Sequence, residues 1–492
     1  MYELIVLALG LPPVTAAASL AVRRRGFLKV MNVAASLTTC GLTFALAAGV
    51  LRDGPYAGGW LFVDALSALL LVVVGLLTFT ATLFSASYME AEADEGHIKP
   101  GLLGGYYALL QLFSFTMLAV LVAENLGLMW VGVEATTLAS TLLVAFYFNR
   151  SALEAAWKYV MVCNVGILLA LLGTILLYYA QLSAGGGGAP LSRAAMEALS
   201  GRLDPFLVKL AFVFILIGYG TKAGLAPMHT WLPDAHSQAP SPVSALLSGA
   251  LLSCALYVLI RNLGIVTAVL GGEFVQAALL LFGVLSVAVA VPFMLVQHDI
   301  KRLLAYSSVE HVGIVSFGLG LGTPLALYGA AFHILNHAVA KSALFYLSGI
   351  IIQRYRSKHV MRIRGLFAAM PAAGTMFLVA VLAIVGTPPL SVFFSKFAIV
   401  AAAFAAGKPV LGAALLLLLA GVFAGMMYYA TRMMFGTAPA GLAAARPGAC
   451  ALAAAGLSLA WVVGTGLYVP AALDELLTRA AAQMFAAVGG LR

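Results

Sequence analysis

The sequence predicts an all-α, polytopic membrane protein with about fourteen spanning helices, and three observations carry that expectation. Of 492 residues, 63% are hydrophobic and only 9% are charged, against about 25% charged in an ordinary soluble domain. Apolar runs of about 18 residues or more recur along the whole chain, each long enough to cross a hydrocarbon core ~30 Å thick. The Lys and Arg residues between these runs are unevenly shared between alternate loops, as membrane topology requires. The formal charge of +9 therefore reflects loop basicity and not a nucleic-acid surface.

The first run, MYELIVLALGLPPVTAAASLAV, precedes Arg23, Arg24 and Arg25. A cleaved signal peptide places its positive charge ahead of the apolar run, so this is read as a retained span with its N-terminus outside. Further spans are expected near 30–50, 61–88, 104–123, 125–148, 156–180, 205–234, 241–263, 274–296, 303–321, 325–352, 372–404, 410–434 and 448–470. The segment 181–204, with its run Gly185–Gly188, reads as a flexible external loop, and the tail Ala471–Arg492 as a short interfacial helix. Loops assigned to the cytoplasm hold 16 Lys and Arg residues, Arg446 among them, and the outside segments hold 8, including Arg261 and Arg492. The remaining three, Lys222, Lys341 and Lys396, fall inside spans. Cys40, Cys163, Cys254 and Cys450 stand singly in apolar surroundings without a CxxC pair, which argues against iron–sulfur or structural zinc sites and for packing.

A charge at bilayer depth costs roughly 2.5–3.5 kcal/mol on insertion scales, so intramembrane ionisable residues are functional candidates. The set here is Glu134, Lys222, Glu310, His311, His333, His337, Lys341 and Lys396, with Asp64 and Glu124 nearer span ends. One buried ion pair could merely fix a fold, whereas a chain of titratable groups suggests a proton path. His333, His337 and Lys341 recur every four residues, on one helix face with a rise of ~6 Å per step. Gaps of that size imply bridging water. Two histidines at this spacing can share a metal, but the motif lacks a third ligand carboxylate and Lys341 is cationic.

Two spans are interrupted, one by Gly224, Pro227, Pro233, Pro240 and Pro242, the other by Gly386, Pro388 and Pro389. A lysine stands beside each break, Lys222 and Lys396. Broken spans at corresponding places in two halves point to an ion site, and an offset of about 170 residues relates the two lysines. The expected organisation is a three-helix segment at 1–103, two inverted five-helix repeats at 104–263 and 274–434, and a last span with its tail at 435–492. His229, Asp234 and His236, inside the first break, are read as loop-fixing. Asp299, Lys301 and Arg302 are read as cap and anchor of the following span. Glu134 and Lys222 are expected to form the switching pair of the first half.

The stretches KAGLAPMHTWLPDAHSQAPSPVSALL from Lys222, HDIKRLLAYSS from His298 and FHILNHAVAKSALF from Phe332 resemble the antiporter-like subunits of respiratory complex I, Mrp-type sodium/proton antiporters and group 4 nickel–iron hydrogenases. The resemblance covers nearly the whole chain. It implies one proton channel with a central hydrophilic axis, built from the family's fifth-helix glutamate at Glu134, seventh-helix lysine at Lys222, eleventh-helix cluster at His333, His337 and Lys341, and twelfth-helix residue at Lys396. Many relatives carry a lysine or histidine on the eighth helix, where this chain has Ser248 and Ser253. The central link is then water, serine hydroxyls or the Glu310–His311 pair. That departure, with SSVEH and PDAHSQAPSPVSALLSG, is most similar to the hydrogenase-4 component F branch.

The resemblance implies a proton-translocating subunit in a prokaryotic cell (inner) membrane, with both termini outside, beside other membrane subunits and a soluble redox arm. The chain has no Rossmann glycine pattern, P-loop or cysteine cluster, so no cofactor is expected in it, and nickel–iron and iron–sulfur centres are expected in partner subunits. A subunit of an Mrp-type Na⁺/H⁺ antiporter and a structural membrane anchor are the other two readings. H⁺ and Na⁺ stay open at this point.

Overall fold

The computed structural model describes residues 1–187, 190–439, 442 and 447–489, so Gly188, Arg446 and Arg492 lie outside the described residues. Because lipid offers backbone amides no partner, each apolar run closes its hydrogen bonds within itself as a helix. The chain opens with α1 (Tyr2–Ala21), α2 (Arg25–Asp53) and α3 (Ala65–Asp94). Next come α4 (Leu103–Val122), α5 (Leu126–Val144), α6 (Arg150–Ser183) and the short α7 (Arg193–Ala198). The interrupted span near 205–234 is α8 (Pro205–Ala223) and α9 (Trp231–Gln238). Then α10 (Ser241–Leu246), a π-helical stretch Leu247–Leu251 and α11 (Leu252–Leu270) run on without a break. They are followed by α12 (Gly272–Leu295), α13 (Ile300–Leu321), α14 (Pro324–Tyr355) and the short α15 (Leu366–Ala369). The second interrupted span is α16 (Pro371–Val385) and α17 (Ser391–Ala405), followed by α18 (Pro409–Met434), α19 (Ala449–Leu467) and α20 (Ala471–Gly489).

Twelve segments among the described residues are long and apolar enough to span a bilayer, counting α8–α9 and α10–α11 once each. The other two expected spans are α13, which carries Lys301, Arg302, Glu310 and His311, and the halves α16 and α17. Side-chain caps fix several starts: Asp64 on α3, Asn125 on α5, Asn149 on α6, Asp204 on α8, Asp299 on α13 and Thr323 on α14 each accept a first-turn amide. At the two breaks the helices stop on Gly224 (φ +84°) and Gly386 (φ +87°), left-handed positions that suit glycine because it has no Cβ.

The all-α expectation holds, with a small hairpin added: Tyr56–Gly58 pairs antiparallel with Leu61–Val63, β1–β2, where Gly54 and Pro55 end α2. One expectation is corrected. The expected flexible loop at 181–204 holds α7, capped by Ser192, with Met196 buried and Arg193 bonded to Glu197 at 3.0 Å.

The apolar windows of α10–α11 and α14 are wholly buried, and α3 is nearly so, whereas α1, α5, α6, α12, α18 and α19 bury less than half of theirs. The fold is therefore a central spine of α3, α10–α11 and α14 ringed by helices with one apolar flank outward. α20 lies across one end of this bundle: Gln483 accepts from the Leu66 amide at 2.9 Å, Tyr328 donates to Asp474 at 2.5 Å, and Gln276 donates to the Val488 carbonyl at 3.0 Å. Met1 sits against Gly49 near the end of α2, so it occupies the same end as α20.

Candidate functional site

The break after α8 leaves Lys222 at the end of that helix, fully buried. Its ammonium donates to the Tyr159 hydroxyl at 2.6 Å and the Thr137 hydroxyl at 2.8 Å, and Ser140 lies 2.7 Å beyond on the same phenol oxygen. Trp231 of α9 lies tilted against Tyr159, 4.8 Å between ring centroids, and donates to the Thr221 carbonyl at 2.8 Å, which satisfies one of the carbonyls freed at the break.

Glu134, the expected switching partner of Lys222, is not in direct contact with it in this structure and stands beside the Thr137 that Lys222 meets. No ion pair joins them within 4.0 Å, and one carboxylate oxygen of Glu134 has no protein partner. Helical spacing explains it: Glu134 shares the stripe of Val131 and Leu138, which face outward, while Thr137 and Ser140 lie on the buried stripe of α5. Glu134 is half-buried and remains within electrostatic reach of Lys222.

The other six candidates converge in one place. On α14, His333, His337 and Lys341 are all buried, and α13 supplies Glu310 and His311 opposite them. His311 Nδ1 lies 2.8 Å from His333 Nε2, and the His311 ring stacks on His337 at 4.8 Å between centroids. His333 and His337 are 6.5 Å apart, so the expected gap is filled by a third imidazole from α13 and does not depend on water alone. His333 Nδ1 reaches Ser395 of α17 at 2.9 Å. Glu310 Oε2 lies 3.6 Å from His311 Nε2, while Oε1 takes the Lys396 ammonium at 2.9 Å. Lys396 also donates to the Ile384 carbonyl at 3.2 Å, left open where α16 stops. Lys341 donates to the Leu304 carbonyl at 2.6 Å and to Ser307.

Of the two serines at the eighth-helix position, Ser248 reaches α13 and Ser253 does not. Ser248 sits in the π-helical stretch, 2.8 Å from Ser308, whereas Ser253 turns back to the Gly249 carbonyl. Local π-helix frequently marks functional positions. Asp299 caps α13 as expected, and the same segment also clamps α9: Ser237 donates to Asp299 at 2.7 Å, Arg302 pairs with Asp234, and Lys301 donates to the Ala239 carbonyl. Loop-fixing thus falls to Asp234 and Ser237. The His236 ring makes no hydrogen bond, and His229 packs against Phe293 and Tyr306. Arg261, counted with the outside segments, is buried and donates twice to Asp64, at 2.7 and 2.5 Å. Sequence reasoning missed Tyr159, Thr137 and Ser307, all uncharged.

No group of three His, Cys, Asp or Glu residues among the described residues is arranged to hold a metal. The arrangement suits proton handling: lysines, imidazoles, a carboxylate and hydroxyls at hydrogen-bond spacing between two helix breaks, in a polytopic helical membrane protein. That class of protein is a membrane ion translocator.

Residues 123–424 match the family described as NADH:quinone oxidoreductase/Mrp antiporter, transmembrane, and the chain belongs to that family. It is 41% identical over 367 residues to a hydrogenase-4 component F homolog of Methylacidiphilum infernorum, covering 74% of this chain and 76% of that protein. It is 33% identical over 403 residues to NADH-quinone oxidoreductase subunit N of Desulforudis audaxviator, covering 78% and 75%. A chain in the structure of the membrane-bound sulfane sulfur reductase, an archaeal respiratory membrane complex, superposes with a TM-score of 0.87 at 25% identity, covering 98% of this chain and 97% of its own. The protein is accordingly an antiporter-like, proton-translocating membrane subunit.

Proposed function

We propose that this chain carries protons for a redox-driven complex of the hydrogenase or complex I kind, along an axis through Lys222, Lys341, His337, His311, His333, Glu310 and Lys396. The observation that supports it most is the polar run in the second half, where α13, α14 and α17 bring Lys396, Glu310, three imidazoles and Ser395 into mutual contact at membrane depth. The ion is H⁺: every group is a proton donor or acceptor, and lysines at both ends would repel a bare Na⁺. Two inverted five-helix repeats at 104–263 and 274–434 would set Lys222 and Lys396 at matching breaks, as a transporter's ion site is commonly built. Electron transfer, with any nickel–iron or iron–sulfur centre, belongs to partner subunits, as the names of the relatives suggest. Glu134 supports a membrane partner, because a half-buried carboxylate in a mid-span apolar stripe is costly against lipid. The chain sits in the cell membrane with both termini outside.

The test is Lys341→Met and Lys396→Met in the whole complex, reconstituted in vesicles containing an acridine pH dye. Proton uptake should fall at least tenfold in each while the protein stays assembled. Parental uptake in both would end this reading.

A further inference from the structure

The axis described so far runs within the membrane and needs a connection to water. His236, at the end of α9, is fully buried, and neither ring nitrogen has a protein partner. Phe345 stacks on one ring face at 5.1 Å between centroids and leaves the two nitrogen edges open. A buried polar atom left unpaired costs about 1–3 kcal/mol, so two such atoms on one ring call for water at both edges.

The surroundings show where that water leads. A cavity of about 390 Å³ opens at the bundle end opposite α20, and its wall includes Ser237, Ala239, Ser241, Lys301 and Glu92. Ser237 is the next residue after His236, and Ser241, whose hydroxyl also lacks a partner, begins α10. On the other side, Phe345, which stacks on the His236 ring, stands one helical turn after Lys341 on α14. Lys301, on the cavity wall, donates to the carbonyl of Ala239, three residues after His236.

We propose that His236 relays protons between this cavity and Lys341, so that the path meets water at the middle of the chain beside the first break. In each step a cavity-side water gives a proton to one ring nitrogen. The N–H bond at the other nitrogen then breaks, and that proton leaves through a second water to neutral Lys341. The ring returns to its starting tautomer before the next step. Asp234, Ser237 and Lys301 hold α9 against α13 and so keep the ring in line.

This inference rests on the proton axis proposed above. In the reconstituted complex, His236→Gln keeps polar volume but cannot carry the proton, and uptake should fall at least tenfold with assembly intact. His236→Ala should fall equally and recover in part when imidazole is added, a rescue that a structural role would not produce. Parental uptake in His236→Gln overturns the relay. If Lys341→Met also pumps normally, the axis itself is wrong; if Lys341→Met is blocked, only the His236 link is. Exchange of the imidazole C2 hydrogen in D₂O needs no variant, and His236 should exchange measurably in the parental complex. A ring that does not exchange is dry and cannot relay.

Discussion

The two helix breaks present the same element, a lysine at a glycine-terminated helix end, in opposite chemical settings. Lys222 rests among neutral oxygens, Tyr159 and Thr137, with Ser140 behind them, and its nearest carboxylate, Glu134, is turned to the outer flank. Lys396 is held by Glu310 and by a carbonyl of the break, with His311 and His333 alongside. A phenol, Tyr159, meets the first lysine, while imidazoles stand beside the carboxylate that holds the second. Those imidazoles, with the carboxylate turned inward from α13, make the difference between a hydroxyl cradle and an ion-paired cluster.

The largest effect expected from this difference is on stability. Removing one member of a buried ion pair strands the other, at a cost of about 3–5 kcal/mol. Lys396→Met should therefore destabilise the protein by that amount, because Glu310 is left buried beside His311. Lys222→Met leaves only hydroxyls behind and should cost about 1–3 kcal/mol. Adding Glu310→Gln to Lys396→Met should recover much of the loss, a coupling that thermal unfolding of the four members of the cycle would read. Equal losses at the two lysines would break the comparison.

The helical frame and the charged candidates were legible in the sequence because both follow from one rule, that charge is costly at membrane depth. Lys222, Lys341 and Lys396 could be found by counting loops, and the breaks by Gly224 and Gly386. What could not be read was rotation. Glu134 and Thr137 are one turn apart on α5, and only packing decides which of them faces Lys222. His311 likewise filled the gap between His333 and His337 because α13 lies against α14, a tertiary fact invisible to spacing along one helix. The partners of the lysines were also missed because most are hydroxyls and carbonyls, which are common in any sequence. The hairpin Tyr56–Val63 was missed because its two strands have three residues each.

Glu134→Gln sharpens the comparison at intermediate size. The carboxylate makes no ion pair with Lys222, so stability should change by less than about 1 kcal/mol, in line with a half-exposed charge. Proton uptake should nevertheless fall severalfold, because the field of Glu134 still reaches Lys222 across the Thr137 turn. Unfolding temperature and vesicle uptake measured on one preparation separate the two effects. Parental uptake would assign Glu134 to contact with a neighbouring chain alone.

The smallest effect is expected between the halves, at Ser248. Its hydroxyl meets Ser308 at 2.8 Å, next to Ser307, which binds Lys341. The π-helical turn Leu247–Leu251 brings Ser248 to α13, so this hydroxyl is the one direct side-chain hydrogen bond from that turn, among the described residues, to the helix carrying Glu310 and His311. Ser248→Ala removes one neutral hydrogen bond, worth about 0.5–1.5 kcal/mol, and Ser308 can turn to the Leu304 carbonyl it already approaches at 3.2 Å. A serine cannot store a proton as lysine or histidine does, so its part is to order the chain of hydroxyls and water leading from the first half. Uptake should drop about two- to threefold, corresponding to roughly 0.4–0.7 kcal/mol in barrier height. A tenfold loss would instead make Ser248 an obligatory step, and would mean that protons cross from Lys222 to Lys341 along α10. No change at all would mean that the two halves exchange no protons at this turn, leaving each to draw on water separately.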